Sequence, residues 1–571
     1  MPKRLMTVTG LVVCSAAAVL AHDEDWRKYA DMEPPVEGPI WRAGADGDLG
    51  RSSVFDSSGL QLLSQVPTNN IGTGGNAADC WGYTSPSGRE YALIGVRTGT
   101  GVIEVTDPTN PVVVGFISSA QSMWHDVKVL GEYAYSVNES GNGIQVIDLS
   151  NVDNGVVSLV QNKMQNGHST THNIAVNEET GYLYLAGANV LNGGLIAVDT
   201  TNPANPTFAG AWTNSYVHDV QVVNMEVGPF AGREIAFCFN GGSGIEIIDV
   251  TDKNDMVKIG GTGYSGLRYT HQGWISEDQQ WLYVNDELDE GQTVSLTTTR
   301  VFRIHDPAWD GPPSTAPSLT NPVYEGKFTT GLSAIDHNLY IKGNLIFQAN
   351  YRSGLRIFDT SLDPSNPQEV GFIDTYPGSD SASFNGAWSV YPYFASGNVI
   401  VSDIERGLFV VRPDQLDAVS GLAIEVTNKV PAVVGPNETV PVVIEADEVN
   451  TTVDSQGYRV RVGVNGDPFF DVPMSPTGVA GEFAAELSGF DCLDKVTFRV
   501  VGNDQSGELF FSDERSFTIA DSEEILATGE NPTVPFTTNA TASAGAWDFG
   551  APVNAGRGDP PPTPTVQTKR G

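Results

Sequence analysis

THNIAVNEETGYLYLAGANVLNGGLIAVDTTNPANPTFAGAW, residues 171–212, decides the fold. It breaks into four short apolar strands, THNIAV, YLYLA, LIAVD and PTFAGAW, separated by Gly, Asn, Asp and Pro turns. The same unit recurs along the chain. Its third strand ends in Asp and a polar turn in VIEVTDPTNP from Val102, IQVIDLS from Ile144, IEIIDVTD from Ile245, VFRIHDP from Val301 and LRIFDTS from Leu355. A Tyr-rich or apolar strand precedes it (YALIGV, YAYSV, IAFCF, WLYV, LIFQA). Before that comes an inner strand, opened in five units by histidine: WHDVKV, THNIAV, VHDVQV, THQGWI and DHNLYI. These histidines, His125, His172, His218, His271 and His337, stand 47, 46, 53 and 66 residues apart. Four short strands per period of this length predict propeller blades, because one such sheet cannot bury both faces and must stack on its neighbours in a ring.

Two more units extend the series: ADCWGY from Ala78, and NGAWSV from Asn385 with GLFVV from Gly407. Seven units predict a seven-bladed β-propeller over residues 52–413. The last unit lacks its fourth strand, and LQLLSQV, Leu60–Val66, is placed to supply it, which closes the ring and removes two exposed edges. Aligning the apolar positions of the two outer units sets Asp79 and Gly386 where the others carry histidine.

The order of THNIAVNEETGYLYLAGAN, YTHQGWISEDQQWLYVNDELDE, HNLYIKGNLIFQANYRSGLRIFDT and FNGAWSVYPYFASGNVIVSDIERGLFVV resembles the LVIVD-repeat propellers of the secreted bacterial family called choice-of-anchor B. The resemblance covers residues 52–413 and implies an exported or surface-displayed protein, without implying a reaction. Members of that family end in different surface anchors. The tail TPTVQTKRG has no hydrophobic stretch, so the expectation is either a released protein or a shortened version of an anchored one.

The remainder of the chain is consistent with an exported all-β protein. With 62 glycines, 34 prolines and 18% charged residues among 571, it is turn-rich, and 40% apolar content supplies a core. A net charge of −38 argues against nucleic acid or an anionic membrane as partner. Lys3 and Arg4 precede LMTVTGLVVCSAAAVLA, too short to span a bilayer and ending in small residues, so 1–21 reads as a secretory signal peptide. Residues 22–51 read as an unstructured leader. From 421 to 520 seven strands, LAIEVT, VPVVIEA, YRVRVGV, EFAAEL, KVTFRVV, ELFFS and SFTI, predict an immunoglobulin- or fibronectin-like β-sandwich. Residues 521–571 are rich in Pro, Thr and Ala and read as a disordered tail, with GAWDFGAPVNAGRGDPPP resembling the truncated start of a jelly roll. No transmembrane segment is expected after signal cleavage. Cys80, Cys238 and Cys492 cannot make a disulfide scaffold, and the odd count leaves at least one thiol free or paired between chains.

The five histidines and Asp79 are the candidate site. The first strand of a blade lines the channel, so one position per blade becomes one ring of side chains. Five imidazoles with a carboxylate suit copper, iron or zinc rather than calcium. The next residues, Asp126, Asn173, Asp219, Gln272 and Asn338, are polar and could orient the rings, although neighbours on a strand point to opposite faces. A repeated histidine is equally a hydrogen-bond donor between blades, copied by duplication, and the sequence leaves both readings open.

Other signals are weaker. NDELDE, Asn285–Glu290, lacks calcium-loop spacing and reads as a solvated acidic loop. Trp81, Trp274 and Trp388 near the inner strands offer sugar stacking or packing between blades, the latter favoured. Asn138, Asn437, Asn450 and Asn539 open glycosylation sequons. Hydrolase, nucleotide and zincin motifs are absent from the sequence. The resulting expectation is an extracellular recognition or scaffold module for a protein or glycan ligand. The alternative is a metal-dependent extracellular oxidoreductase built on the histidine ring.

Overall fold

The computed structural model describes residues 25–43, residues 55–414 apart from 308, 310 and 311, and residues 421–519 apart from short stretches. The expected signal peptide, the tail and the sequons at Asn437, Asn450 and Asn539 lie outside the described residues. The chain divides into two compact units: one comprises residues up to Ala423 with 447–456 and 502–510, the other the remaining residues from Ile424 onward.

The fold is all-β and its sheets are mostly antiparallel with four strands each, as propeller blades have. In the unit quoted first, strands Asn173–Asn177, Tyr182–Ala186, Leu195–Asp199 and Thr207–Trp212 pair in sequence order. The described residues of the first unit form seven sheets, five of four strands and two of five. Their inner strands, Ala77–Thr84, His125–Leu130, Asn173–Asn177, Asp219–Asn224, Thr270–Ile275, Leu339–Lys342 and Ala387–Tyr391, touch in that order, and the last touches the first. Leu60–Val66 is the fourth strand of the final sheet, running antiparallel to Gly407–Pro413 from Leu60↔Pro413 to Val66↔Leu408.

Local chemistry explains the repeated sequence. The Asp that ends each third strand closes a turn on itself: Asp148, Asp199, Asp249 and Asp359 each accept the backbone N–H two residues on, at 2.7–3.1 Å. The tyrosines of the second strand fasten one repeat to the next. Tyr135 donates to the Pro203 carbonyl (2.9 Å), Tyr184 to Glu234 (2.6 Å) and Tyr283 to the Pro364 carbonyl (2.9 Å). Each ring is buried, so its hydroxyl needs the partner that the neighbouring repeat supplies.

Two expectations are corrected here. The leader is not unstructured in its described part: Asp25–Asp31 is a helix, Trp41–Arg42 pairs with the strand Leu60–Val66, and Lys28 is buried. Asparagine and glutamate side chains of the repeats fasten this segment, including Asn385 to the Asp31 carbonyl (2.7 Å) and Asn76 to the Glu33 carbonyl (2.9 Å). Asn138 is no surface acceptor. It is fully buried and its side-chain oxygen accepts the N–H groups of Ser140 and Gly141.

Between residues 421 and 519 two sheets are described. One orders Gly421–Val426, Val440–Val449, Glu482–Leu487 and Ser475–Pro476; the other is built around Lys495–Asn503, Arg459–Val464 and Arg515–Ile519. Alternation along Arg459–Val464 buries Val460 and Val462, and along Lys495–Asn503 it buries Val496, Phe498 and Val500, as strands with one face on a core require.

Candidate functional site

The inner strands place three successive layers of side chains along the channel. The first is the histidine layer. His172 and His218 lie 4.2 Å apart between ring centres, His218 and His271 4.6 Å, His271 and His337 4.2 Å, and His337 and Trp388 4.4 Å. His125 completes the arc, lining one small space with His172, His271 and His337. Outer partners orient the rings. His125 Nε2 meets Ser119 Oγ (2.7 Å), His172 Nδ1 meets Glu139 (2.7 Å), His218 Nδ1 meets the Tyr269 hydroxyl (3.0 Å), and His337 Nδ1 donates to the Trp388 carbonyl (2.5 Å).

Asp79 and Gly386 do not belong to this layer. β-Bulges at Ala77–Cys80 and Ala387–Ser389 insert residues that an alignment of apolar positions cannot register, so Trp388 fills the place assigned to Gly386. Asp79 falls in the second layer with Asp126, Asn173, Asp219, Gln272, Asn338 and Ser389. There Lys128 Nζ lies 2.5 Å from Asp126 and 3.9 Å from Asp79, Asn173 donates to Asp219 (3.0 Å), and Asn338 donates to Asp79 (3.3 Å). These polar side chains bond one another and neighbouring backbone, Gln272 meeting the Leu339 N–H and carbonyl at 3.0 Å each, while the ring contacts given above go to other residues. Burial, partly offset by Lys128, pushes Asp79 up to about 7 and Asp219 well above the carboxylate range. Burial also opposes the charge on Lys128, but Asp126 and Asp79 outweigh it and hold the ammonium protonated.

The acidic run Asn285–Glu290 is the residue set that the sequence reading misplaced. Every residue of it is buried, because each carboxylate has found a partner. Asp286 accepts the N–H groups of Arg268 and Tyr269 (both 2.7 Å), and Asp289 pairs with Arg300. Glu287 enters the histidine layer. Its carboxylate receives Lys28 Nζ at 2.8 and 3.0 Å and the Tyr351 hydroxyl at 2.6 Å, and it faces His337 Nε2 at 3.7 Å and His271 Nε2 at 3.8 Å. Burial would raise Glu287, but Lys28 and the two imidazoles hold it well below its ordinary range. Burial lowers His271 strongly and His337 to about 3, so both rings are neutral at physiological pH. One signal could have located Glu287: it follows the strand Trp281–Asp286, whose Asp286 pairs with Thr270 beside His271.

Three residues beyond the histidine position, about 10 Å along a strand, the third layer carries Trp81, Lys128, Gln221, Trp274, Tyr340 and Tyr391. It bounds a cavity of about 510 Å³, whose lining also includes Asp219, Gln272 and Tyr393 and the exposed carboxylates Glu178 and Glu277. Its wall is one aromatic cluster: Trp81, Tyr340 and Trp274 meet edge to face at 5.7 and 4.9 Å, and Tyr391 packs on Trp81 at 5.0 Å. Trp81 is buried under Lys128, which sits 4.7 Å over its ring, so the packing role holds for it. Trp274, Tyr391 and Tyr393 are half-buried. Trp388 lies at the histidine end instead.

LVIVD repeats match at residues 123–154, 169–214 and 337–375. No curated protein matches the chain. Among solved structures, the Pseudomonas aeruginosa periplasmic gluconolactonase PpgL is similar at 11% identity and TM-score 0.38, over 53% of this chain and 86% of that one. A Lactobacillus plantarum protein aligns at 10% identity and TM-score 0.37, over 77% and 96%. The N-terminal domain of Nup159 aligns at 11% and 0.37, over 67% and 98%. The chain is thus an all-β, propeller-like protein that carries LVIVD repeats.

Proposed function

We propose that this chain is a secreted or surface-displayed recognition module of the choice-of-anchor B kind, and that it binds an uncharged saccharide in the aromatic cavity of the channel. In this reading the first unit is a closed seven-bladed ring and the second an immunoglobulin- or fibronectin-like sandwich. The cyclic contact of the inner strands supports the ring, buried alternating residues in both sheets (Val440, Val442 and Ile444 in one, Val460, Val462, Val496 and Phe498 in the other) support the sandwich, and the run from Lys3 to Ala21 supports export. The cavity itself carries the ligand assignment. Half-buried Trp274, Tyr391 and Tyr393 offer ring faces to the apolar face of a sugar, while Gln221 and Asn173 offer amide groups to its hydroxyls. The carboxylates at the rim and floor disfavour an anionic ligand.

A glycan array probed with the intact chain tests this reading. Binding to neutral saccharides that falls at least tenfold in Trp274→Ala and Tyr393→Ala is expected; absence of binding, or binding untouched by both substitutions, overturns it. A metal-dependent oxidoreductase remains the second reading. The convergence of His271, Glu287 and His337 favours it, while the pairing of Asp79 with Lys128 engages the carboxylate that was to supplement the histidine ring.

A further inference from the structure

At the opposite end of the channel from the aromatic cavity, the chain has placed one of its own cations inside a metal-ligand set. The donor atoms of His271, Glu287 and His337 all lie within 4.8 Å of one another, and all three residues are buried. His337 gives its Nδ1 proton to the Trp388 carbonyl, which leaves the Nε2 lone pair facing Glu287. A carbonyl or carboxylate behind the distal nitrogen is the arrangement that fixes metal-binding imidazoles. His271 is 2% exposed and its Nδ1 has no hydrogen-bond partner among the described residues, so neither ring nitrogen is committed to the fold.

Lys28 fills the position a cation would take. Its ammonium contacts both oxygens of Glu287 and lies 5.4 and 5.7 Å from the ring centres of Phe384 and Trp388. It arrives on a short helix held by a strap of discrete contacts. Asp31 accepts the Phe384 N–H (3.2 Å), Tyr376 donates to Glu33 (2.8 Å), and the Val36 N–H reaches the Glu405 carbonyl (2.7 Å). Most of these are single polar contacts near the surface, whereas the ligand residues stand on the fully buried ends of inner and second strands.

We propose that His271, Glu287 and His337 form a site for one divalent first-row transition-metal ion, and that Lys28 is its intramolecular competitor. Two imidazoles and one carboxylate are a complete protein ligand set for zinc or iron(II), with the remaining positions open. Bonds of about 2.0–2.2 Å require the donors to close inward by about an ångström. The exclusion is electrostatic: Glu287 is fully buried and needs one cation beside it, and Lys28 and a metal ion cannot both occupy the space between its oxygens and the two Nε2 atoms. With the strap seated the site holds an ammonium; with the strap lifted it holds a metal. This inference is independent of the saccharide reading.

The test uses the full chain, free of affinity histidines and stripped of metal, titrated with Co²⁺ and followed by its d–d absorption. Lys28→Met keeps the length of the side chain and removes the charge. One equivalent of Co²⁺ is expected to bind this variant at least 100-fold more tightly than the unaltered chain, and Lys28→Met/His271→Ala and Lys28→Met/Glu287→Gln are expected to return to the unaltered level. Equal affinity of the unaltered chain and Lys28→Met overturns the proposal, as does tight binding that survives both double substitutions. If Lys28→Met does not fold without metal, recovery of the fold by Zn²⁺ and not by Mg²⁺ supports the site, and failure of both ions to restore it counts against it.

Discussion

Replacing Lys128 by Met should make the stability of the propeller-like unit strongly pH-dependent. Lys128 reaches from the third channel layer into the second, where its ammonium is the counter-ion to a buried cluster of Asp79, Asp126 and Asp219. Even with Lys128 present, Asp79 is pushed from 3.8 to about 7, which costs its ionised form on the order of 4 kcal/mol. Methionine fills a similar volume, so the packing loss is small, and the main cost is the uncompensated charge: about 3–5 kcal/mol for a broken buried pair. The direction with pH follows from linkage. Between the unfolded carboxyl range near 4 and the raised folded values of Asp79 and Asp219, the native state holds protons that the unfolded chain has released, so stability falls as pH rises through this window. Without Lys128 the folded values rise further and the fall steepens. The difference between the two proteins should therefore be about 1 kcal/mol at pH 5 and about 3–5 kcal/mol at pH 8. Urea unfolding followed by tryptophan fluorescence measures it selectively, because no tryptophan lies between 421 and 520. A difference that does not change between pH 5 and pH 8 would refute the argument that Lys128 serves as counter-ion.

Three other outcomes are expected. Burial lowers His125 to about 4, so the unfolded chain takes up a proton that the folded one refuses as pH falls from 6.5 to 4; stability should drop over that range by on the order of 3 kcal/mol, and His125→Gln should flatten the slope in urea titrations. Tyr135→Phe removes the hydroxyl that reaches Pro203 in the next repeat and should cost about 0.5–1.5 kcal/mol, read as a shift of the urea midpoint; no shift would deny the tyrosines their role between repeats. Cys80 and Cys238 are buried, with thiols pushed well above their ordinary range by burial, while Cys492 is exposed. Peptide mapping after alkylation of the folded chain should find Cys492 modified and the other two protected.

The repeats were legible in the sequence because their rules are local. Alternating apolar residues, an Asp that closes its own turn and a tyrosine at a fixed place in the second strand recur often enough to be counted, and Leu60–Val66 could be assigned to the ring by elimination. The site was only partly legible. Five histidines share one register and do gather, but Asp79 was misplaced because bulges in the two outer inner-strands shift the count by a residue or more. Glu287 and Lys28 were missed for a different reason. They are 259 residues apart and each looks solvated in its own segment; only their mutual neutralisation permits either to be buried. The aromatic cavity was read as packing because its five aromatic residues, Trp81, Trp274, Tyr340, Tyr391 and Tyr393, come from four different repeats, which no local pattern groups together.

Amide hydrogen exchange of the full chain, with and without the neutral saccharide that binds most tightly on the array, tests the central claim most directly. A ligand seated in the channel cavity should slow exchange in Asn173–Asn177, Asp219–Asn224, Thr270–Ile275 and Leu339–Lys342, the inner strands that line it. Protection confined to residues 421–519, or to the outer strands of the repeats, would place recognition elsewhere and contradict the account.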